Sequence, residues 1–262
     1  MDCKQFLHSY WAFKKIQMLN FAAPLPGTDK MNDAEDIEAK ITARIRAAIL
    51  HGRLPPRAKL TEEVVAEALD VTRARVRSSL HSLAVEGLVE IKRNRGAFVA
   101  SPTPLEAKAV FDARRVIERA TTEIVTRTIM TSQLNMLKVN LALWEREWMH
   151  GRRQKTIAGI GSFHMALANM VHNRPLALTL ERLVLQTSLI LGLYATSTTF
   201  SAAAVEYGIL LTLIEEGKSL AAAKAMDRCL HVIEHQLDTR PVAIREINLL
   251  AALDADSQRK AR

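Results

Sequence analysis

Residues 45–100 read IRAAILHGRLPPRAKLTEEVVAEALDVTRARVRSSLHSLAVEGLVEIKRNRGAFVA, and the order of local signals along them decides the amino-terminal fold. Ile37, Ile41, Ile45 and Ala48 recur at helical spacing, and Leu50 closes that helix before His51-Gly52. GRLPPRAKL reads as a non-helical link. Thr61 then suits the N-cap of EEVVAEAL, with Glu62 and Glu63 at the helix's positive end. LDVT turns the chain. In RARVRSSLHSLAVEG, Val76, Leu80 and Leu83 share one face, Arg73 and Arg77 another, and Gly87 stops the helix. LVEIKRNRGAFVA alternates as two short strands around a basic turn, with Arg93, Asn94, Arg95 and Gly96 at its tip. Three short helices and a basic hairpin make a winged helix-turn-helix.

Working outward, residues 1–33 form an arm of weak pattern ending in the breaker APLPGTDK. Either Met31 is the biological start, or the arm is a packing or partner-binding helix around Phe6, Trp11 and Phe13. The winged helix-turn-helix occupies 34–101. Residues 102–239 carry helix signals throughout and no strand signal. Thr103-Pro104-Leu105-Glu106 combines an N-cap, a first-turn proline and a capping-box glutamate ahead of a long helix. Residues 240–262 hold PVAIREINLLAAL, one more amphipathic helix, and a polar tail. The fold class is therefore mainly α, a winged helix-turn-helix followed by an all-helical bundle.

Composition narrows the function. The 262 residues are 48% hydrophobic and 24% charged, a globular balance that excludes collagen-like and wholly disordered chains. Lys and Arg number 36 against 28 Asp and Glu, a formal charge of +8 that favours an anionic partner. At 5% aromatic, the chain lacks the stacking platforms that grip single strands. Cys3 and Cys229 give no disulfide framework, so a reducing compartment is expected. Lys14 and Lys15 interrupt any signal-peptide core, and no uninterrupted apolar run is long enough to span a membrane. A cytoplasmic protein without membrane partners is expected.

The charge is also local. Between Val71 and Gly96 stand Arg73, Arg75, Arg77, Lys92, Arg93 and Arg95 against only Glu86 and Glu90. Helix amino-termini aimed into the major groove let arginine reach guanine O6 and N7, while neighbouring groups hold phosphate. Arg73 and Arg77 are expected to read bases, Thr72 to cap the helix or bond a phosphate, and the wing to add general affinity.

In this order and spacing, GRL.P, VTR..VR..L..L...GLVE and RGAFV resemble the DNA-binding half of the GntR superfamily of bacterial regulators. The resemblance implies recognition-helix contacts from Thr72, Arg73, Arg75 and Arg77, and a wing tip at Arg95 and Gly96, beside Lys92 and Arg93, entering the minor groove. Four residues depart from the family pattern. Arg57 and Asp70 stand where glycine is common, Ser78 replaces a glutamate, and Glu63 takes a position that is a DNA-contacting arginine in some members.

The helical zone is similar to the FCD effector domain of the FadR-like branch, through FDARRVIE, FHMALANMVHNRPL, EYGILLTLIEEG and AAAKAMDRCL. Many such domains hold a divalent metal on one aspartate and three histidines. Here those positions are Ile160, His164, Tyr207 and Cys229, so the resemblance implies a degenerate site with no metal and no other cofactor. An isoleucine offers no donor, and a phenol with pKa near ~10 is a poor ligand. His231 and His235 lie elsewhere around their helix and read as surface residues. Arg114 either pairs a ligand carboxylate or bridges to Glu118. The effector-binding set is thus Arg114, Ile160, His164, Tyr207 and Cys229, suited to an apolar or amphipathic small molecule.

With no phosphate loop and no nucleophile elbow, no enzyme is expected. The expected function is a homodimeric, ligand-responsive regulator on palindromic double-stranded operator DNA. The alternatives are a metal-dependent sensor keeping a weak His/Cys site, and an enzyme using the helical cavity.

Overall fold

The computed structural model describes residues 32–240 and 247–253. Residues 1–31 of the arm expected over 1–33 and most of the tail lie outside these residues, while residues 32 and 33 already belong to the first helix.

Helix α1 (Asn32–Leu50) buries Ile41, Ile45, Ala48 and Ile49. The link that follows holds a strand the sequence reading missed, β1 (Lys59–Leu60). Next come α2 (Glu62–Leu69), α3 (Arg73–Val85), β2 (Val89–Lys92) and β3 (Gly96–Val99). The sheet runs β1-β3-β2, with Leu60 opposite Ala97 and Ile91 opposite Ala97 on the other edge, all antiparallel. Val76, Leu80, Leu83, Leu88, Val89 and Val99 close the core of this head, each at most 3% exposed.

Two turns rest on left-handed backbone at residues other than glycine. Arg57 has φ 67°, and its amide donates to the Val99 carbonyl at 2.9 Å. Asp70 has φ 53° and ends α2, after which the Val71 amide reaches back to Ala66 O at 3.0 Å. These are the positions where the sequence departs from glycine, and the side chains there carry the steric cost of that conformation.

The body is α4 (Pro104–Thr128), α5 (Thr131–Met149), α6 (Arg153–Met170), α7 (Arg174–Tyr194), α8 (Ser197–Glu215) and α9 (Ser219–His235). The expected capping box opens α4, with the Glu106 amide donating to Thr103 Oγ1 and the Thr103 amide to Glu106 Oε2. Helix α4 packs along α9 and also meets α6 and α7, while α5 bridges α6 and α8. By length and hydropathy α7 and α8 could cross a bilayer, yet each turns a buried face into this bundle, as a core helix does.

A short helix, α10 (Leu249–Leu253), returns to pack on α2 in the head, and Leu253 is fully buried. Arg53 donates to the carbonyl of Ala252 at 2.8 Å across this joint.

Candidate nucleic-acid interface and buried polar cluster

In the head, Thr72 caps α3 by backbone geometry alone; its side chain makes no capping bond and is exposed. Arg77 Nε and Nη2 donate to the Glu62 carboxylate at 3.0 and 2.7 Å, and Arg73 pairs with Glu63 at 2.7 Å. The Arg77 guanidinium, then burial acting the other way, leaves Glu62 below its ordinary pKa. The acids opening α2 thus meet the arginines of α3, a cross-helix pairing that sequence spacing did not reveal. Both pairs are exposed, and such pairs hold side chains weakly enough for a phosphate or base edge to displace the carboxylate.

Arg75 is half-buried and, among the described residues, its side chain makes no hydrogen bond or ion pair. At the wing, Arg93, Arg95 and Gly96 are exposed, and Asn94 takes φ 58° to turn the hairpin. Lys92 is drawn back from the tip, bonded to Glu90 at 3.0 Å and lying 5.4 Å from the Phe98 ring centre.

The body brings together three of the five expected effector residues and adds two the sequence reading did not assign to the site. Arg114, Glu118, His164 and Tyr207 are each at most 1% exposed and form one chain of bonds. Arg114 Nε donates to Glu118 Oε1 at 2.6 Å, Glu118 Oε2 meets His164 Nδ1, and His164 Nε2 lies 2.5 Å from the Tyr207 hydroxyl. Trp144 packs edge-on to Tyr207, with ring centres 5.6 Å apart. Ile160 and Cys229 are buried in the same core.

Charge in this cluster is set by Arg114. Burial alone would raise the Glu118 carboxyl, but the Arg114 charge and then the His164 ring outweigh it and hold the group at about 2. For His164, burial lowers the pKa and outweighs the opposing pull of Glu118, which keeps the ring neutral near pH 7. One nitrogen then donates and the other accepts. Nδ1–H donates to the Glu118 carboxylate, and Tyr207 O–H donates to Nε2. Burial pushes both the Tyr207 phenol and the Cys229 thiol far above their ordinary values, so both stay protonated.

The cluster is not closed. Arg114 Nη2, Trp144 Nε1, Thr122 Oγ1 and Asn140 Oδ1 are buried without a partner among the described residues. Thr122 continues the Arg114–Glu118 stripe of α4 by one more turn, and Asn140 lies one turn before Trp144 on α5. Buried orphans of this kind call for an explanation, since each left unmade costs free energy.

Residues 37–99 match the family model described as "Bacterial regulatory proteins, gntR family", and residues 109–232 match that of the FCD domain. Together they span well over half of the chain. The chain belongs to the GntR family. Its FCD domain places it in the FadR-like branch. It is 31% identical over 138 residues to the Uxu operon transcriptional regulator of Escherichia coli K12, covering 46% of this chain and 51% of that protein. It is 28% identical over 112 residues to the HTH-type transcriptional repressor RspR of the same organism, covering 43% and 49%. The chain thus matches about half the length of these GntR relatives. The crystal structure of a GntR protein from Rhodococcus sp. RHA1 shares the fold, with TM-score 0.69 at 23% identity over 77% of this chain and 97% of that one.

Proposed function

We propose that this GntR-family protein is a ligand-responsive transcriptional regulator. It binds palindromic operator DNA as a homodimer, and a small molecule in the FCD domain modulates that binding. The observation that carries the DNA reading is the unspent donor capacity of the head. Arg75 on α3 and Arg93 and Arg95 on the wing have no protein partner among the described residues. Arg73 and Arg77 are held only by exposed carboxylates. Exposed donors on a recognition helix and a wing suit phosphate and base edges of a duplex.

Self-association is supported by the outer stripe of α4, where Val116 is 74% and Ile124 is 45% exposed two turns apart, with exposed Ala120 between them. Ligand binding is supported by the orphan donors Arg114 Nη2 and Trp144 Nε1 beside the buried polar chain. They suit an amphipathic molecule with acceptor oxygens. A metal at the FCD position is disfavoured because Ile160 offers no donor there and both nitrogens of His164 are engaged.

Selection from a random duplex library tests the DNA reading, followed by titration of the enriched sequence at fixed salt. An inverted repeat is expected, with Arg75→Ala or Arg77→Ala weakening it at least about tenfold if each reads a guanine. No enrichment, or variants that bind like wild type, would overturn it.

A further inference from the structure

Outside the head and the buried cluster, one group of side chains among the described residues has the makings of a metal site. From its geometry we infer that His231, Glu234 and His235, at the end of α9, bind a divalent transition-metal ion of the zinc, nickel or copper class on the protein surface. The three residues stand at i, i+3 and i+4, so they project from one face of the helix. One donor atom from each lies within 4.8 Å of the others. Donors around a single ion, with bonds of about 2.0–2.2 Å, stand roughly 3–3.5 Å apart. Small side-chain rotations close that gap, and both imidazoles are exposed.

Two further observations favour a cation here. The imidazole centres are already 3.8 Å apart. His235 Nδ1 lies 3.1 Å from the His231 carbonyl, so Nδ1–H donates to the backbone and the lone pair stays on Nε2, pointing outward. A backbone-anchored Nδ1–H is the usual way a ligating histidine is oriented. The carbonyl end of α9 adds partial negative charge beside the site. Mixed imidazole and carboxylate donors suit ions of borderline softness.

The third ligand is shared. Arg115 of α4 donates to Glu234 Oε2 at 2.5 Å, in a half-buried pair joining α4 to α9. The two histidines therefore capture the ion, and Glu234 completes the site with the oxygen that Arg115 does not hold. The Arg115 charge beside that carboxylate weakens its hold on a cation. This site is separate from the buried polar cluster, since Cys229, two residues earlier on the same helix, is fully buried. It does not depend on the DNA-binding reading.

Zinc and nickel titrations of the metal-free full chain test it, by calorimetry and by competition with a chromogenic chelator. One ion per chain is expected, with His231→Ala and His235→Ala each weakening binding at least about tenfold and the double variant abolishing it. Arg115→Gln, which frees Glu234, should tighten binding, and Glu234→Gln should remove that gain. Because both rings are exposed, the variants should keep the wild-type melt in metal-free buffer. No binding of either ion by wild type, or retention by the double variant, would overturn the assignment; retention would place the ion elsewhere.

Discussion

Glu118 stands where Arg114 Nε and His164 Nδ1 both require an acceptor, in a core with no water-exposed alternative. Glu118→Gln keeps the shape and removes the charge, leaving a guanidinium buried without an anion. Breaking such a pair costs about 3–5 kcal/mol, so urea unfolding at pH 7 should show a loss of that order. The pH dependence has a definite sign. Glu118 is held at about 2, below its ordinary 4.5, so its contribution is complete above 4.5 and fades as pH falls toward 2. His164 is also depressed, so its contribution fades as pH drops below 6.5. Wild type should therefore lose stability steadily from pH 7 downward, and Glu118→Gln should lack the more acidic part of that decline. Equal stability of the two proteins at pH 7 would remove the central place given to this carboxylate.

Among the turns and helices, the left-handed residues offer the sharpest test. A side chain in that conformation costs about 1–2 kcal/mol, while glycine gives back about 0.4–1 kcal/mol through the unfolded chain. Arg57→Gly should raise stability by up to about 1 kcal/mol, and Asp70→Gly by less, because aspartate tolerates the conformation better. A fall in melting temperature for Arg57→Gly would mean that its bond to Ser101 Oγ at 3.1 Å outweighs the backbone strain. The helices of the head and the Thr103 capping box could be read from periodicity and end signals, because those are local properties. Strand β1 could not: two residues after a Pro-Pro pair carry too little alternation, and only β3 makes them a strand. Glu118 was weighed in the sequence only as a partner for Arg114. Its signal was present, since Ala107, Phe111, Arg114, Glu118 and Val125 fall on one buried stripe, so a charged pair occupies core positions. Trp144 gave no such signal, because a buried indole becomes informative only when its N–H is found without a partner. The Arg77–Glu62 and Arg73–Glu63 pairs link different helices and needed coordinates.

At the scale of the molecule, head and body meet through few but specific contacts. Tyr194 Oη donates to the Pro102 carbonyl at 2.8 Å, and Gln186 lies against Gly87, where φ is +78° and an added Cβ would sit 2.4 Å from its amide nitrogen. Helix α10 is the most telling of these contacts, because it covers α2 from the far end of the sequence. Leu253→Ala should cost about 2–5 kcal/mol as a buried truncation, and hydrogen exchange should quicken in Glu62–Leu69 while α8 stays protected. Unchanged exchange in α2 would show that α10 rests on the head without supporting it. The same joint bears on how such proteins can be recombined. A DNA reader that ended at residue 101 could be cut out and grafted onto another sensor as one contiguous cassette. Here the reader is assembled from two separated stretches of gene, so a chimera keeping its grip on DNA would have to carry both, and recombination at the apparent boundary would leave each parent with half of a joint.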